Sequence, residues 1–386
     1  MKILHTGDWH LGKIVNQVYM TEDQEFILDE LIRIIEEEEP DVLVIAGDIY
    51  DRAVPPVEAV ELLDRTFNRI LREIRIPIIA IAGNHDSPER LGFCSGIMEG
   101  CGLFIEGGLK EAIRKVTLMD SFGPVNFYLI PYADPSEARA VLKDEEIRSH
   151  EDAFKAVLKR IRKTMDLKER NVVVGHGFIT GAAALEQSDS ERPLSIGGTE
   201  YVDAELFQGF EYTALGHLHS AQKVTEAGIR YAGSLLKYSF SEVKHHKSAA
   251  LVTLQEKGEA AEIELKPLKP VREMRIIKGR LSELLKAGEE EKSQDYIRAV
   301  LTDQGELIDP MNKLRTVYPN VLELVREGRD RTAGDSRTSA GEGYKHKTKM
   351  ELFRSFYENI TGEELTQDKE EVMRPVIGQV DKEERG

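Results

Sequence analysis

A chain of 386 residues, 41% hydrophobic and 31% charged, is long enough for two or three domains and carries ample apolar material for a sizeable core. Its 52 Lys and Arg against 69 Asp and Glu leave a formal net charge of -17, which argues against a basic, non-specific nucleic-acid coat but not against a nuclease, because bound divalent cations reverse the sign of an acidic cleft. Cys94 and Cys101 fit no zinc, redox or disulfide framework and are expected as small buried hydrophobes in a reducing cytosol; with no signal-like start and no apolar run near the roughly 20 residues of a membrane helix, a cytoplasmic protein without a membrane partner is expected.

Lys2 to Thr6 reads as a short strand that empties into Gly7-Asp8-Trp9-His10. Thr21-Glu22-Asp23-Gln24 has capping-box spacing and opens a helix with Ile27, Leu31 and Ile34 on one face, ending at Glu36 to Glu39 and Pro40. Val42-Leu43-Val44-Ile45-Ala46 follows without polar interruption, the pattern of a strand buried on both faces; it stops at Gly47 and delivers Asp48. Pro55-Pro56 open a second helix, with Val60, Leu63, Phe67, Ile70 and Ile74 at helical spacing. Pro77 to Ala82 is the next buried strand and delivers Gly83-Asn84-His85-Asp86. Strands alternating with helices in this order predict a right-handed parallel arrangement.

Farther on, Val125 to Ile130 reads as a strand, and Asp134 to Asp166 as two helices. The second is rich in Lys155, Lys159, Arg160, Arg162 and Lys163, which we read as a solvated face. Asn171 to Val174 is a strand that delivers Gly175-His176-Gly177, and Tyr212 to Leu215 one that delivers Gly216-His217-Leu218-His219. Between them Thr180 to Thr199 is a long polar loop, a length that points to function. Short strands are expected around Tyr231 and Ala249 to Leu254. At Lys266-Pro267-Leu268-Lys269-Pro270 the character changes and a boundary is expected. Residues 266–327 read as a small separate domain and 328–350 as a flexible linker. Glu351 to Ile360 reads as an amphipathic helix bearing Leu352, Phe353, Phe356, Tyr357 and Ile360, either a docking peptide or a helix folded onto its own domain. There is no internal repeat, and no Walker-type glycine loop, so any ATP dependence comes from another chain.

The strand ends carry the chemistry: Asp8 with His10, Asp48, Asn84 with His85, His176, and His217 with His219. Singly, a Gly-Asp or a turn histidine is commonplace. Together, in order and each after a strand-like run, they would meet at one sheet edge, where ligand sites of α/β folds collect. Carboxylate, amide and imidazole donors suit Mn, Fe or Zn near octahedral geometry rather than thiolate-rich structural zinc. The set is too large for one ion and divides between two that share Asp48. Such a pair, about 3.5–4 Å apart, clamps a phosphate and makes water a competent nucleophile at neutral pH. His85, beside Asn84 but pointing elsewhere, is the candidate to bind the phosphate or protonate the leaving oxygen. These residues indicate phosphate chemistry without indicating DNA. The better candidates for backbone-phosphate contacts are Lys244, Lys247 and the basic residues between Lys266 and Arg280.

These ordered motifs resemble the signature of the calcineurin-like metallophosphoesterases. More narrowly, Ile3 to Gly12, Gly47-Asp48-Ile49-Tyr50-Asp51 with Pro55-Pro56, Ala232-Gly233-Ser234 and Ser239-Phe240-Ser241-Glu242 resemble the nuclease subunits of bacterial SbcCD-type complexes, over most of the chain from Met1 to about Ile360. The resemblance implies an α/β (α+β) fold: a four-layer αββα metallophosphoesterase sandwich in residues 1–265, a small α/β capping domain in 266–327, and a helical C-terminal extension in 351–386. It assigns Asp8, His10, Asp48 and His219 to one metal, Asp48, Asn84, His176 and His217 to the other, and makes His85 the catalytic histidine. The usual ion is manganese, with magnesium as the alternative. It further implies exonuclease and single-strand endonuclease action on DNA in repair, recombination and replication. An SbcC-type ATPase subunit would be bound through the helix of Leu352, Phe353 and Phe356, in a heterotetramer built on a homodimer. Asp51 stands where archaeal and eukaryotic relatives place a second catalytic histidine, which leaves open what assists the leaving group. The rival reading, a metallophosphoesterase acting on a small phosphodiester or phosphoprotein, shares the metal centre but has no need of the C-terminal third.

Overall fold

The computed structural model describes residues 1–181, 184–194, 200–226, 228–327, 350–351, 353–354, 357 and 365–383. The chain divides into two compact units, Met1–Met274 and Arg275–Gly386.

The first unit is built on two six-stranded sheets. One orders its strands Glu262–Pro267, Ser248–Thr253, Lys2–Thr6, Val42–Ile45, Ile78–Ile81 and Leu103–Glu106. The last four run parallel, and the first two add on antiparallel. Val42–Ile45 lies inside this sheet with every residue buried, as its unbroken apolar run demands. The other sheet orders Gln222–Thr225, Ile229–Tyr231, Tyr212–Gly216, Arg170–His176, Gly123–Ile130 and Lys115–Asp120.

Side-chain alternation decides how the layers stack. Ile3, Val42, Val44, Ile79 and Ile81 of the first sheet share one core cluster with Val125, Phe127, Leu129, Val172, Val174 and Ala214 of the second, so the sheets pack face to face. The alternate residues of the second sheet, Tyr128, Ile130, Val173 and Leu215, meet Ala138, Leu142, Phe154, Val157 and Ile161 of the helices Pro135–Leu142 and His150–Thr164. On the first sheet Leu4, Leu43, Ile45, Ile78 and Ala80 are buried on the opposite pleat. The parallel crossovers there are made by the helices Thr21–Glu38 and Val57–Asn68. This is the expected αββα sandwich.

Three local expectations fail. The capping-box spacing at Thr21 is not used: the N-cap is Met20, with no side-chain cap, because Gln24 is committed elsewhere. Val60 is 44% exposed, since the helix buries Ala59, Leu62, Leu63, Thr66 and Phe67 and then passes into a π-helical turn over Arg69–Ile74 that changes its phase. Cys94 and Cys101 are free and exposed, because both fall on a surface segment of short helical turns, Cys94 itself at φ 59°.

Arg170 ties the end of the second sheet. It is 1% exposed, and its guanidinium donates to both carboxylate oxygens of Asp120, to the Gly123 carbonyl at 2.8 Å and to that of Gln255 at 3.1 Å.

The second unit holds a three-stranded sheet of Met274–Gly279, whose first residue closes the first unit, Tyr296–Leu301 and Val321–Arg326. Leu281 and Leu284 of one helix and Leu314 of another close a core on Ile297, Ala299, Leu301 and Val321. A helix runs over Gln367–Glu383. All but the last residue of the predicted linker over 328–350, and Leu352, Phe356 and Ile360 of the predicted docking helix, lie outside the described residues. Phe353 and Tyr357 are described, with ring centroids 6.4 Å apart. Among the described residues no helix is long and apolar enough to cross a membrane.

Candidate metal centre

The site starts with backbone. Beyond the paired strands Lys2–Thr6 and Val42–Ile45 the two loops stay zipped: the Asp8 N–H donates to the Gly47 carbonyl (3.0 Å) and the His10 N–H to that of Asp48 (2.9 Å). Both loops turn through the left-handed region, with φ 53° at Asp8, 47° at His10 and 50° at Asp48; φ is 116° at His217. Such backbone is costly outside glycine and persists where its surroundings over-determine it. Here Gln24 is a main clamp. Its Oε1 accepts from the Gly12 N–H (3.0 Å), and its Nε2 donates to the His10 carbonyl (2.7 Å) and to the Tyr238 hydroxyl (3.1 Å). Three of the flanking glycines, Gly47, Gly83 and Gly216, are dictated by space. A Cβ on Gly83 would lie 2.2 Å from Asp48 Oδ1, and one on Gly216 1.9 Å from the Ala46 carbonyl oxygen.

These turns bring the predicted residues together. Asp48 Oδ1 accepts from the His85 N–H (2.8 Å), while Oδ2 lies 3.5 Å from His176 Nε2 and 3.7 Å from His10 Nε2. His176 Nδ1 donates to the Ala46 carbonyl (2.9 Å), which leaves Nε2 a bare lone pair 2.9 Å from Asn84 Oδ1. His10 Nε2 and His219 Nε2 face each other at 3.0 Å. Asp8 accepts the His217 N–H at 2.9 and 3.1 Å, and the His217 ring stands against that of His176, centroids 5.5 Å apart. Donor atoms of Asp8, His10 and His219, and likewise of Asp8, Asp48 and His176, lie within 4.8 Å of one another.

Burial sets the charge state. It pushes His10 and His217 well below the ordinary imidazole value, helped by the neighbouring histidines, and lowers His176 as well. It pushes the Asp8 carboxyl well up, and Asp48 adds to the effect. Asp86, which takes the N–H groups of Ile49, Tyr50 and Gly83, is pushed up to about 7 by burial and by Asp48. The result is a dry cluster of imidazoles and carboxyl groups in which the bare Nε2 of His176 faces Asn84 Oδ1, while His10 Nδ1 is left without a hydrogen-bond partner. Acceptors facing acceptors are satisfied by cations, and this mixed nitrogen and oxygen set fits divalent metal ions.

His85 borders that set, with donor atoms of His10, Asp51 and His85 also within 4.8 Å of one another. It is half-buried, its Nδ1 donates to the Asp51 carbonyl (2.7 Å), and its ring meets His10 edge-on at 4.7 Å. The Asp51 carboxylate pairs with Lys13 at 2.8 Å.

Several residues around the site escaped the sequence reading. His219 Nδ1 donates to Ser190 Oγ (2.7 Å), which in turn donates to Glu242 Oε1; the His219 N–H is held by Glu191 (2.7 Å). Part of the long polar loop thus serves the site. Lys247, expected among the phosphate contacts, is instead 7% exposed, with its ammonium spent on Glu242 Oε2 (2.6 Å), Ser234 Oγ (2.7 Å) and the His219 carbonyl (2.8 Å). Lys266 is paired with Glu38 and Glu264, and Lys155 with Glu151 on an exposed helix face. Glu242 lay in a quoted motif and Asp86 directly beside Asn84-His85, so proximity was a usable signal for both. Gln24 and Ser190 gave none.

Comparison with known proteins agrees with this geometry. Residues 1–221 match the family model described as calcineurin-like phosphoesterase, and residues 270–361 one described as Type 5 capsule protein repressor C-terminal domain. A Staphylococcus epidermidis protein named as the SbcD chain of the nuclease SbcCD is 37% identical over 95% of each chain. One of the same name from Staphylococcus saprophyticus is 36% identical over 98% of each. A solved dimetal phosphatase from Danio rerio is 10% identical, covers 70% of this chain and 96% of that one, and has a TM-score of 0.41, too loose a likeness to add weight. The first match spans every strand-end motif from Asp8 to His219, and the two relatives run nearly end to end with this chain: it belongs to the calcineurin-like phosphoesterase family, in the branch of the SbcD nucleases.

Proposed function

We propose that this chain is the metal-dependent nuclease subunit of an SbcCD-type complex and hydrolyses DNA phosphodiester bonds, as a double-strand exonuclease and single-strand endonuclease. The observation that carries the reading is the buried set of imidazole nitrogens and carboxyl and amide oxygens gathered around Asp48. Asp8, His10, Asp48 and His219 hold one divalent ion, and Asp48, Asn84, His176 and His217 the other. Manganese suits these mixed donors better than magnesium, which favours oxygen. When bound, the pair clamps the phosphate, lowers the pKa of water and offsets the charge that develops on phosphorus. His85, with Nδ1 donating to the Asp51 carbonyl, would act as the doubly protonated imidazolium, whose Nε2–H can bind a phosphate oxygen and pass its proton to the leaving oxygen. The left-handed turns at Asp8, His10 and Asp48 aim the other side chains before substrate arrives.

The test is digestion of end-labelled duplex and hairpin DNA by purified protein, beside a nitrophenyl phosphate ester. Cleavage of DNA with Mn2+, stopped by chelation, is the expected result. Turnover of the small ester without DNA cleavage would favour the small-phosphodiester reading. In the same assay His85→Ala is expected to lose at least about 100-fold in rate while still binding its ions in a calorimetric titration. Undiminished cleavage by this variant would remove His85 from the chemistry.

The partners follow the same reading. A cytoplasmic SbcC-type ATPase binds through Leu352, Phe353 and Phe356 and supplies the ATP dependence this sequence lacks. Residues 266–327 provide the capping domain. A homodimer forms through the exposed apolar side chains Val57 (68%), Val60 (44%), Phe93 (74%) and Ile97 (80%), of which Val60 and Phe93 line one groove. A Phe93→Glu, Ile97→Glu variant is expected to sediment as a monomer where the parent is a dimer; a variant that stays dimeric would rule this surface out.

A further inference from the structure

Behind His219 lies an ion pair that the proposed chemistry does not use. Glu242 is fully buried and Lys247 is 7% exposed, yet they face each other at 2.6 Å in the core. Buried ion pairs rarely add net stability over apolar side chains of the same size, so a purely structural account leaves this one without a reason.

Its connections supply one. Ser190 Oγ accepts from His219 Nδ1 at 2.7 Å and donates to Glu242 Oε1, which also lies 3.2 Å from that nitrogen. Glu242 Oε2 accepts from Lys247, and Lys247 returns to the His219 carbonyl at 2.8 Å. The circuit closes on His219. It fixes the ring by Nδ1 and the backbone by its carbonyl, while Glu191 takes the N–H. A donor locked at Nδ1 leaves the lone pair on Nε2, the atom that faces His10 across 3.0 Å.

We infer that Glu242, braced by Lys247 and relayed through Ser190, is the positioning residue that fixes the tautomer and ring orientation of His219 for the ion it shares with Asp8, His10 and Asp48. This rests on the ligand assignment proposed above. Lys247 holds Glu242 in place, and Ser190 spans the gap between carboxylate and imidazole.

The experiment is a calorimetric Mn2+ titration of the full chain, with thermal melts of the same samples in chelator. The parent is expected to bind two ions, and His219→Ala to lose tight binding of one. Glu242→Gln should weaken that same ion by about 10–100-fold and spare the other. Ser190→Ala, on a half-buried loop, should weaken it too without lowering the melting temperature, which keeps the test valid should Glu242→Gln fold poorly. The double variant Glu242→Gln, Lys247→Met removes both charges, and should regain thermal stability without regaining ion affinity. Parent-like affinity in both Glu242→Gln and Ser190→Ala, or restored affinity in the double variant, would overturn this inference alone. A parent that binds no ions, or a His219→Ala variant that binds both as tightly as the parent, would overturn the ligand assignment and this inference with it.

Discussion

Asp48→Ala is expected to cleave DNA no faster than the chelated parent, a loss of at least about 1000-fold. The size follows from where the carboxylate stands. Its Oδ2 lies between His176 Nε2 and His10 Nε2, at 3.5 and 3.7 Å, so one side chain serves both halves of the donor set. On the proposed assignment its removal should impair both ions together, whereas loss of a peripheral ligand should spare one. Stability should move the other way. In the metal-free protein Asp48 crowds Asp8 and Asp86, and raises the carboxyl pKa of each. Asp48→Asn keeps the acceptor for the His85 N–H and a residue type that tolerates φ near 50°, and removes the charge. In chelator it should melt no lower than the parent. With Mn2+ the parent should gain by mass action, about 2.7 kcal/mol at an ion concentration 100 times Kd, and the variant should not. An Asp48→Ala protein with robust Mn-dependent cleavage would refute the sharing of Asp48 between two ions.

Asp120→Ala is expected to be the most damaging substitution outside the site, at about 3–5 kcal/mol, because it strands a buried guanidinium. Arg170 lies 1% exposed with the Asp120 carboxylate as its charge partner, and the Gly123 and Gln255 carbonyls cannot neutralise it. For a domain of this size the midpoint of thermal unfolding should fall by about 10 °C. The hydrogen bonds from Arg170 hold the Asp120 carboxyl below the usual range. A depressed pKa contributes stability that is complete above the unfolded value, near 3.9, and is lost as pH falls through the folded one. The gap between parent and variant in denaturant unfolding should therefore stay constant from about pH 8 to 5 and narrow only below about pH 4. A gap under about 1 kcal/mol at neutral pH would show that the Arg170 charge is satisfied elsewhere.

The scaffold was legible because its signal is periodic and local. Unbroken apolar runs such as Val42 to Ala46 mark buried parallel strands, and Gly47, Gly83 and Gly216 after such runs mark where a side chain would collide. The ligand candidates were legible for the same reason, as each is the first chemistry beyond such a run. What stayed hidden depends on contacts between distant segments. Gln24 sits at capping-box spacing, yet the structure uses its amide to hold His10, and only the fold brings the two together. Lys247 looks like any basic residue near a boundary until Glu242 is seen against it. Ser190 lies in a loop with no periodicity at all, and reaches His219 only in three dimensions. Cys94 and Cys101 were misjudged because average burial says nothing about a particular surface turn.

The central claim is that residues from both sheets converge on two neighbouring cations that share Asp48. Anomalous diffraction at the manganese edge, from crystals grown with a manganous salt, tests it directly. The account predicts two peaks about 3.5–4 Å apart, both in contact with the Asp48 carboxylate. A solitary peak, or density remote from Asp48, would contradict it.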